Sequence, residues 1–229
     1  MPKRILILSQ DDRWHKLEEL GARIARWAEE LDNVAAQISH DLEVLAGGEL
    51  DACDVCVLCA TMSDLTAGQE QGLVDWVAGG GTLLGIHSAT VVDEKRTAYI
   101  ELIGGRFTHH SPYHEFEVRI ATVAGPTDEA STPGHPIVRG VDDFRIHDEL
   151  YVLDRPPRGA HVLATASWEG ADQPLVYTKG YGQGRVAYNA LGHDQAAFDH
   201  PAFQKLVRQA IGWACVGAGL RTRPFRIDK

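Results

Sequence analysis

The strongest constraint on the fold is an alternation, over the first ninety residues, of short apolar runs with segments of helical spacing. Arg4 to Ser9 reads as a strand. Trp14 to Leu31 then carries Leu17, Leu20, Ile24, Trp27 and Leu31 at the spacing of one helix face. Val34 to Ile38 and Val55 to Ala60 read as the second and third strands. Thr66 to Ala78 reads as a helix whose start is marked by Thr66 with Gln69 three residues on. Gly79-Gly80-Gly81 ends it, and Thr82 to Ile86 is the fourth strand. Strands separated by helices imply a parallel sheet with right-handed crossovers. Ligands of such sheets bind beyond the carboxyl ends of the strands.

The rhythm changes after a short helix expected over Thr97 to Leu102. Phe116 to Val123, Phe144 to Leu153, His161 to Ser167, Leu175 to Thr178 and Arg185 to Ala190 are strand-like, with turn signals between them. They predict β-hairpins added to the second half, Gly180-Tyr181-Gly182-Gln183-Gly184 being one hairpin loop. A helix from Pro201 to Cys215 closes the pattern. With no repeat, low-complexity segment or linker, the chain reads as one domain over 1–215 and a C-terminal tail over 216–229, charged from Arg221 to Lys229.

Composition narrows the function. A net charge of -10 disfavours nucleic acid and anionic lipid and favours a small-molecule partner. Mean hydropathy is -0.19, and no apolar run approaches the roughly 20 residues of a membrane span. Ile5 to Leu8 is too short for a signal-peptide core, so the expected location is the cytoplasm, without disulfides. Cys53, Cys56 and Cys59 have a spacing that suggests metal binding. On a strand, however, Cys56 faces away from the other two, so they read as small buried hydrophobes.

Eleven histidines exceed what packing requires, and many fall at strand ends or in loops. His15 follows the first strand, where it could also cap the first helical region, and His87 sits in Gly85-Ile86-His87-Ser88-Ala89 after the fourth. His109, His110 and His114 lie in a loop opened by Gly104-Gly105, and one of the adjacent pair should face away from the site. His147, Asp148 and Glu149 are consecutive in a strand, so at most one of the two acids faces the site. His193 and Asp194 follow Gly192, where Asp194 could equally be a helix N-cap. His40, His135, His161 and His200 read as structural or surface residues.

A sharp turn after a buried strand presents its central side chain beside the free amides of the next helix. A Cys there would be a thiolate nucleophile and a Ser an esterase-like one, but the residue is His87. Imidazole can accept a proton or bind a metal and is poorly suited to a lasting acyl intermediate, and Ser88 is one residue out of place. No GxxxxGK[ST] is present, and Gly79-Gly80-Gly81 precedes a strand, so a nucleotide cofactor has no support.

These stretches resemble the ThuA-like (trehalose-utilisation) family, whose fold is similar to that of class I glutamine amidotransferases. The resemblance is carried by GGGTLLGIHSA (79–89), GGRFTHHSPYH (104–114), HPIVRG (135–140), DELY (148–151) and GYGQGRVAYNALGH (180–193) with Asp194. It implies an α/β, flavodoxin-like three-layer sandwich with a mostly parallel sheet, and His87 in the place of the amidotransferase nucleophile. Amidotransferase activity would then be lost, because that chemistry needs a thiolate. The family's name implies carbohydrate metabolism, including oxidised (keto) disaccharides.

The expected activity is therefore general acid–base chemistry on a sugar or keto-sugar derivative, such as isomerisation or elimination. His87, His193, Asp148 and Glu149 are the expected catalytic residues. His15, His109, His110, His114 and Asp194 are the expected substrate contacts. No cofactor is certain; a divalent metal such as Zn²⁺ held by His15, His87, His114 and His193 is a variant of the same reading. The alternative is a noncatalytic sugar-binding or partner-regulating protein on a degenerate amidotransferase fold. A small-molecule sugar is the expected partner, with neither nucleic acid nor membrane, and self-association into a homo-oligomer is left open.

Overall fold

The computed structural model describes residues 2–121 and 134–217. In chain order the elements are β1 (Lys3–Ser9), α1 (Leu17–Glu29), β2 (Val34–Ser39), β3 (Val55–Cys59), α2 (Ala67–Ala78), β4 (Thr82–Ile86), α3 (Thr97–Ile103), β5 (Phe107–His110), β6 (His114–Ile120), β7 (Phe144–Asp148), β8 (Tyr151–Leu153), β9 (Ala160–Trp168), β10 (Ala171–Tyr181), β11 (Gly184–Asn189), α4 (Gln195–Asp199) and α5 (Pro201–Gly217). Nine strands form one sheet in the order β2-β1-β3-β4-β11-β10-β9-β6-β7. From β2 to β11 every pairing is parallel, and from β11 to β7 every pairing is antiparallel.

The parallel core follows directly from the apolar runs. Ile5 to Leu8, Val55 to Cys59 and Leu83 to Ile86 are buried at every apolar position, which requires cover on both faces of the sheet. Helices α1 and α5 contact each other, as do α2 and α3, giving the two outer layers of a three-layer sandwich. The start of α2 is closed by a reciprocal pair of bonds. Thr66 Oγ1 accepts from the Gln69 amide at 3.3 Å, and Gln69 Oε1 accepts from the Thr66 amide at 2.9 Å. Cys53, Cys56 and Cys59 are buried, and burial raises the thiol pKa of Cys56 and Cys59, consistent with hydrophobic filling.

Several expected boundaries move. The first helix starts at Leu17 rather than Trp14, because Asp12 Oδ1 accepts from the backbone amides of Trp14 and His15 and folds the preceding residues into a turn. The expected strand Phe144 to Leu153 divides after Asp148. Strand β7 stays in the large sheet beside β6, whereas β8 leaves it to pair with β5. The expected loop around His109 and His110 is that β5 strand. Strand β6 begins at His114, two residues early; the far end of its expected span reaches residues 122–123, outside the described residues. Helix α5 extends to Gly217, and the rest of the expected tail lies outside the described residues.

Candidate functional site

The parallel sheet reverses direction of winding at β1, with β2 on one side and β3 on the other. Chain leaving such a point diverges and opens a crevice at the carboxyl ends. Asp12 and His15 follow β1, Thr61 follows β3, His87 follows β4 and His193 follows β11. The same rim receives Glu149 from the β7–β8 corner.

Each of these side chains is held from behind. Asp12 accepts from Thr61 Oγ1 at 2.5 Å and from His15 Nδ1 at 2.8 Å. Burial works against the carboxylate, but these bonds and the Trp14 amide outweigh it and hold its pKa at about 2. His15 is buried, and with Nδ1 committed to Asp12 it turns Nε2 towards the centre.

His87 begins a tight turn at the end of β4 with φ of 44°, a left-handed conformation uncommon for a residue with a side chain. It is fully buried. Its Nδ1–H donates to the Ala190 carbonyl at 2.7 Å, so Nε2 carries the lone pair, and that atom has no hydrogen-bond partner among the described residues. Burial, reinforced by the neighbouring His15, pushes the His87 pKa well below the usual imidazole value and keeps it neutral.

Asp148 organises the opposite wall without facing the cleft. Its buried carboxylate accepts from the backbone amides of Gly192 at 2.8 Å, His193 at 3.2 Å and Glu149 at 2.8 Å. Burial pushes its pKa up to about 7 against the pull of those three amides. Gly192 lies at φ 116°, where a side chain would be strained, and so the chain turns in front of His193.

Glu149 stands among imidazoles. Its Oε2 is 3.2 Å from His193 Nδ1 and 3.8 Å from His87 Nε2, and its Oε1 is 3.5 Å from His110 Nδ1. Partial burial opposes its ionisation, but His193, His110 and His15 together hold its pKa low. The converse holds for His193: partial burial lowers its pKa, and Glu149 more than restores it. One ligand atom from each of His15, His87, Glu149 and His193 lies within 4.8 Å of all the others. Three of the four, His15, Glu149 and His193, line a cavity of about 550 Å³, together with Asp12, Trp14, Thr61, Phe107, His110 and Tyr151.

The structure thus gathers His15, His87, His110, Glu149 and His193 from the expected set. Asp148 serves them through the backbone. His109 faces outward, near Thr108 and Glu169, so the adjacent pair does divide between site and solvent. His114 is a correction to the expected metal set: its ring packs by Phe116 and Trp168 and its Nδ1–H donates to the Pro112 carbonyl. It is absent from the four-residue cluster, and Glu149 stands in its place. Asp194 caps α4 through the amides of Ala196 and Ala197 and accepts from Tyr113 Oη at 2.6 Å. The four histidines read as structural or surface groups do bond or pack locally: His40 to the Ser9 carbonyl, His135 and His200 as acceptors at helical turns, His161 against His135.

Sequence reasoning missed Asp12, Thr61 and Tyr151. Asp12 lies three residues past a buried strand and three before a histidine, which is a usable signal. Tyr151 ends the DELY stretch, and its ring packs 4.0 Å from that of His87.

Known structures share this architecture. A ThuA-like protein from Parabacteroides merdae ATCC 43184 aligns over 98% of this chain and 94% of its own, with 19% identity and a TM-score of 0.75. A ThuA-like protein from Bacteroides uniformis ATCC 8492 aligns over 93% and 91%, with 17% identity and a TM-score of 0.74. The beta-galactosidase of Bacillus circulans sp. alkalophilus contains a similar fold in 31% of its length, covering 93% of this chain at 13% identity and a TM-score of 0.63. At these identities the likeness is one of fold. No curated protein matches the chain. The ThuA family, described as trehalose utilisation, matches residues 4–214, and the protein belongs to that family.

Proposed function

We propose that the protein is an enzyme of carbohydrate metabolism that moves a proton beside the carbonyl of a keto-sugar derivative. The observation that carries this reading is the meeting of His110, Glu149 and His193 on the lining of one cavity. A cavity of about 550 Å³ lies in the size range of small-molecule sites, roughly 300–1,000 Å³. Its lining suits a sugar, which has apolar ring faces and hydroxyl edges. Trp14 is 67% exposed at this cavity with the Arg13 guanidinium 4.2 Å from its ring centroid, and Phe107 and Tyr151 add further aromatic surface.

Enolisation needs a base for the carbon-bound proton and a positive group for the oxygen that gains charge. His110 suits the first role. Its Nδ1–H donates to the Ser111 carbonyl at 2.6 Å, leaving Nε2 as acceptor, and Glu149 at 3.5 Å stabilises the imidazolium that forms. His193 suits the second, because Glu149 favours charge on it. Asp148 positions both partners by holding the amides of Glu149 and His193.

The test is deuterium exchange in D₂O, followed by NMR, at the carbon beside the carbonyl of oxidised trehalose and related keto-sugars. Wild type should exchange the proton or release product. His110→Ala should slow this by about 10²–10⁴-fold, the usual contribution of a positioned general base. Tight binding of these sugars with neither exchange nor product would overturn the enzyme reading in favour of a sugar-binding protein.

A further inference from the structure

We infer that His15, His87, His193 and Glu149 form a binding site for a divalent transition-metal ion. The site lies at the junction of four strand ends, and its four donors all lie within 4.8 Å of one another. The separations around Glu149 Oε2, 3.2 Å to His193 Nδ1 and 3.8 Å to His87 Nε2, bracket the roughly 3.3 Å edge of a tetrahedron with bonds of about 2.0–2.1 Å. Only small side-chain movements separate this arrangement from coordination.

A second, independent observation points the same way. His87 Nε2 is completely buried, faces the cluster and has no hydrogen-bond partner among the described residues. The Ala190 carbonyl occupies Nδ1, so the unpartnered atom is a lone pair rather than a proton. A buried polar atom left in this state is costly to folding, and a cation removes that penalty. His15 is likewise held at Nδ1, by Asp12, with Nε2 directed inward 3.5 Å from the Tyr151 hydroxyl. A carboxylate or carbonyl behind each ligating imidazole is the usual support of metal-bound histidine, because it fixes the ring and raises its donor strength. Thr61 in turn braces Asp12.

The donor set is three imidazole nitrogens and one carboxylate oxygen. That suits zinc, manganese, iron or cobalt and disfavours calcium and magnesium, which take oxygen ligands. The cluster opens on the cavity, so a coordination position remains for a sugar oxygen. Glu149 binds through Oε2 while Oε1 stays directed at His110, which leaves the base of the proposed reaction outside the coordination sphere. The site stands apart from the sugar reading: ion binding is measured without substrate, and either claim can fail alone.

Elemental analysis of untagged protein purified without added metal, and calorimetry of metal-stripped protein with Zn²⁺, Mn²⁺ and Co²⁺, decide the matter. One ion per chain, with saturable binding and a raised Tm, is the expected result. His87→Ala and Glu149→Gln should abolish it, with circular dichroism confirming that the variants fold. Asp12→Asn, which keeps all four ligands, should weaken binding by about 10–100-fold. His114→Ala should bind as wild type does. Absence of saturable binding by wild type, or binding unaltered in a folded His87→Ala or Glu149→Gln, overturns the site. Should both variants unfold, the Asp12→Asn affinity alone decides: an unchanged Kd overturns it.

Discussion

Among single residues, Asp148 carries the greatest structural load at the rim. The sequence argument held that Asp148 and Glu149 cannot both face the cleft, and they do not. The physical reason differs from simple alternation, because β7 ends at Asp148 and Glu149 begins the corner that follows. Asp148 therefore spends its oxygens on three backbone amides, two from the β11 side and one of its own neighbour. Asp148→Asn keeps one acceptor oxygen and turns an NH₂ group against at least one buried amide. An unsatisfied buried pair of this kind costs roughly 1–3 kcal/mol. For a domain of this size that is a fall in Tm of about 2–4 °C per kcal/mol, measured by thermal denaturation. A variant as stable as wild type would show that these bonds contribute nothing. His15, His87 and His193 were legible because each follows a strand whose apolar run marks its end. His114 misled because its loop neighbours, Pro112 and Ser111, engage it locally and turn it from the cluster.

Elements were legible in proportion to how far burial alone decided them. The strands β1, β3 and β4, covered on both faces, emerged from unbroken apolar runs, and α2 emerged with its capping residues. The start of α1 and the β5–β8 pair did not, because side chain–backbone bonds and long-range pairing set them. Helix α2 also offers a test in which propensity and packing oppose each other. Gly to Ala within a helix gains up to about 1 kcal/mol. At Gly68 an added Cβ meets nothing within 4 Å, so Gly68→Ala should raise stability by a few tenths of a kcal/mol to about 1 kcal/mol. At Gly72 the same atom would lie 2.3 Å from the Leu45 carbonyl oxygen, a backbone group that cannot swing aside. Overpacking of this kind costs about 1–3 kcal/mol and outweighs the propensity gain. Gly72→Ala should therefore lower the urea midpoint while Gly68→Ala raises it; equal shifts would mean that the helix and the preceding turn part easily.

The whole molecule carries a net charge of -10, and burial lowers the pKa of His87, His135 and His200, which ties its stability to pH. Two histidines far from the cleft make the clearest case. His135 Nδ1 accepts from the Ile137 amide and His200 Nδ1 accepts from the Ala202 amide, both at 3.3 Å, and only a neutral ring can accept. Burial lowers the pKa of each below 6.5, with His161 and Arg185 adding to the effect at His135. Above pH 6.5 folded and unfolded chains are both neutral at these positions, and folding stability does not depend on them. Below it the unfolded chain takes up protons first. Stability should fall as pH drops through this window and level off once the folded rings also titrate, closing a loss that each ring contributes separately. Denaturant unfolding of wild type, His135→Gln and His200→Gln from about pH 7.5 to about pH 5, roughly one unit above and one and a half below the ordinary imidazole value, measures it. Each substitution should reduce the slope of stability against pH, because glutamine accepts the same amide bond without titrating. A wild-type slope retained in both variants would assign the acid sensitivity to the histidines of the cleft instead, where His87 is also held neutral by burial.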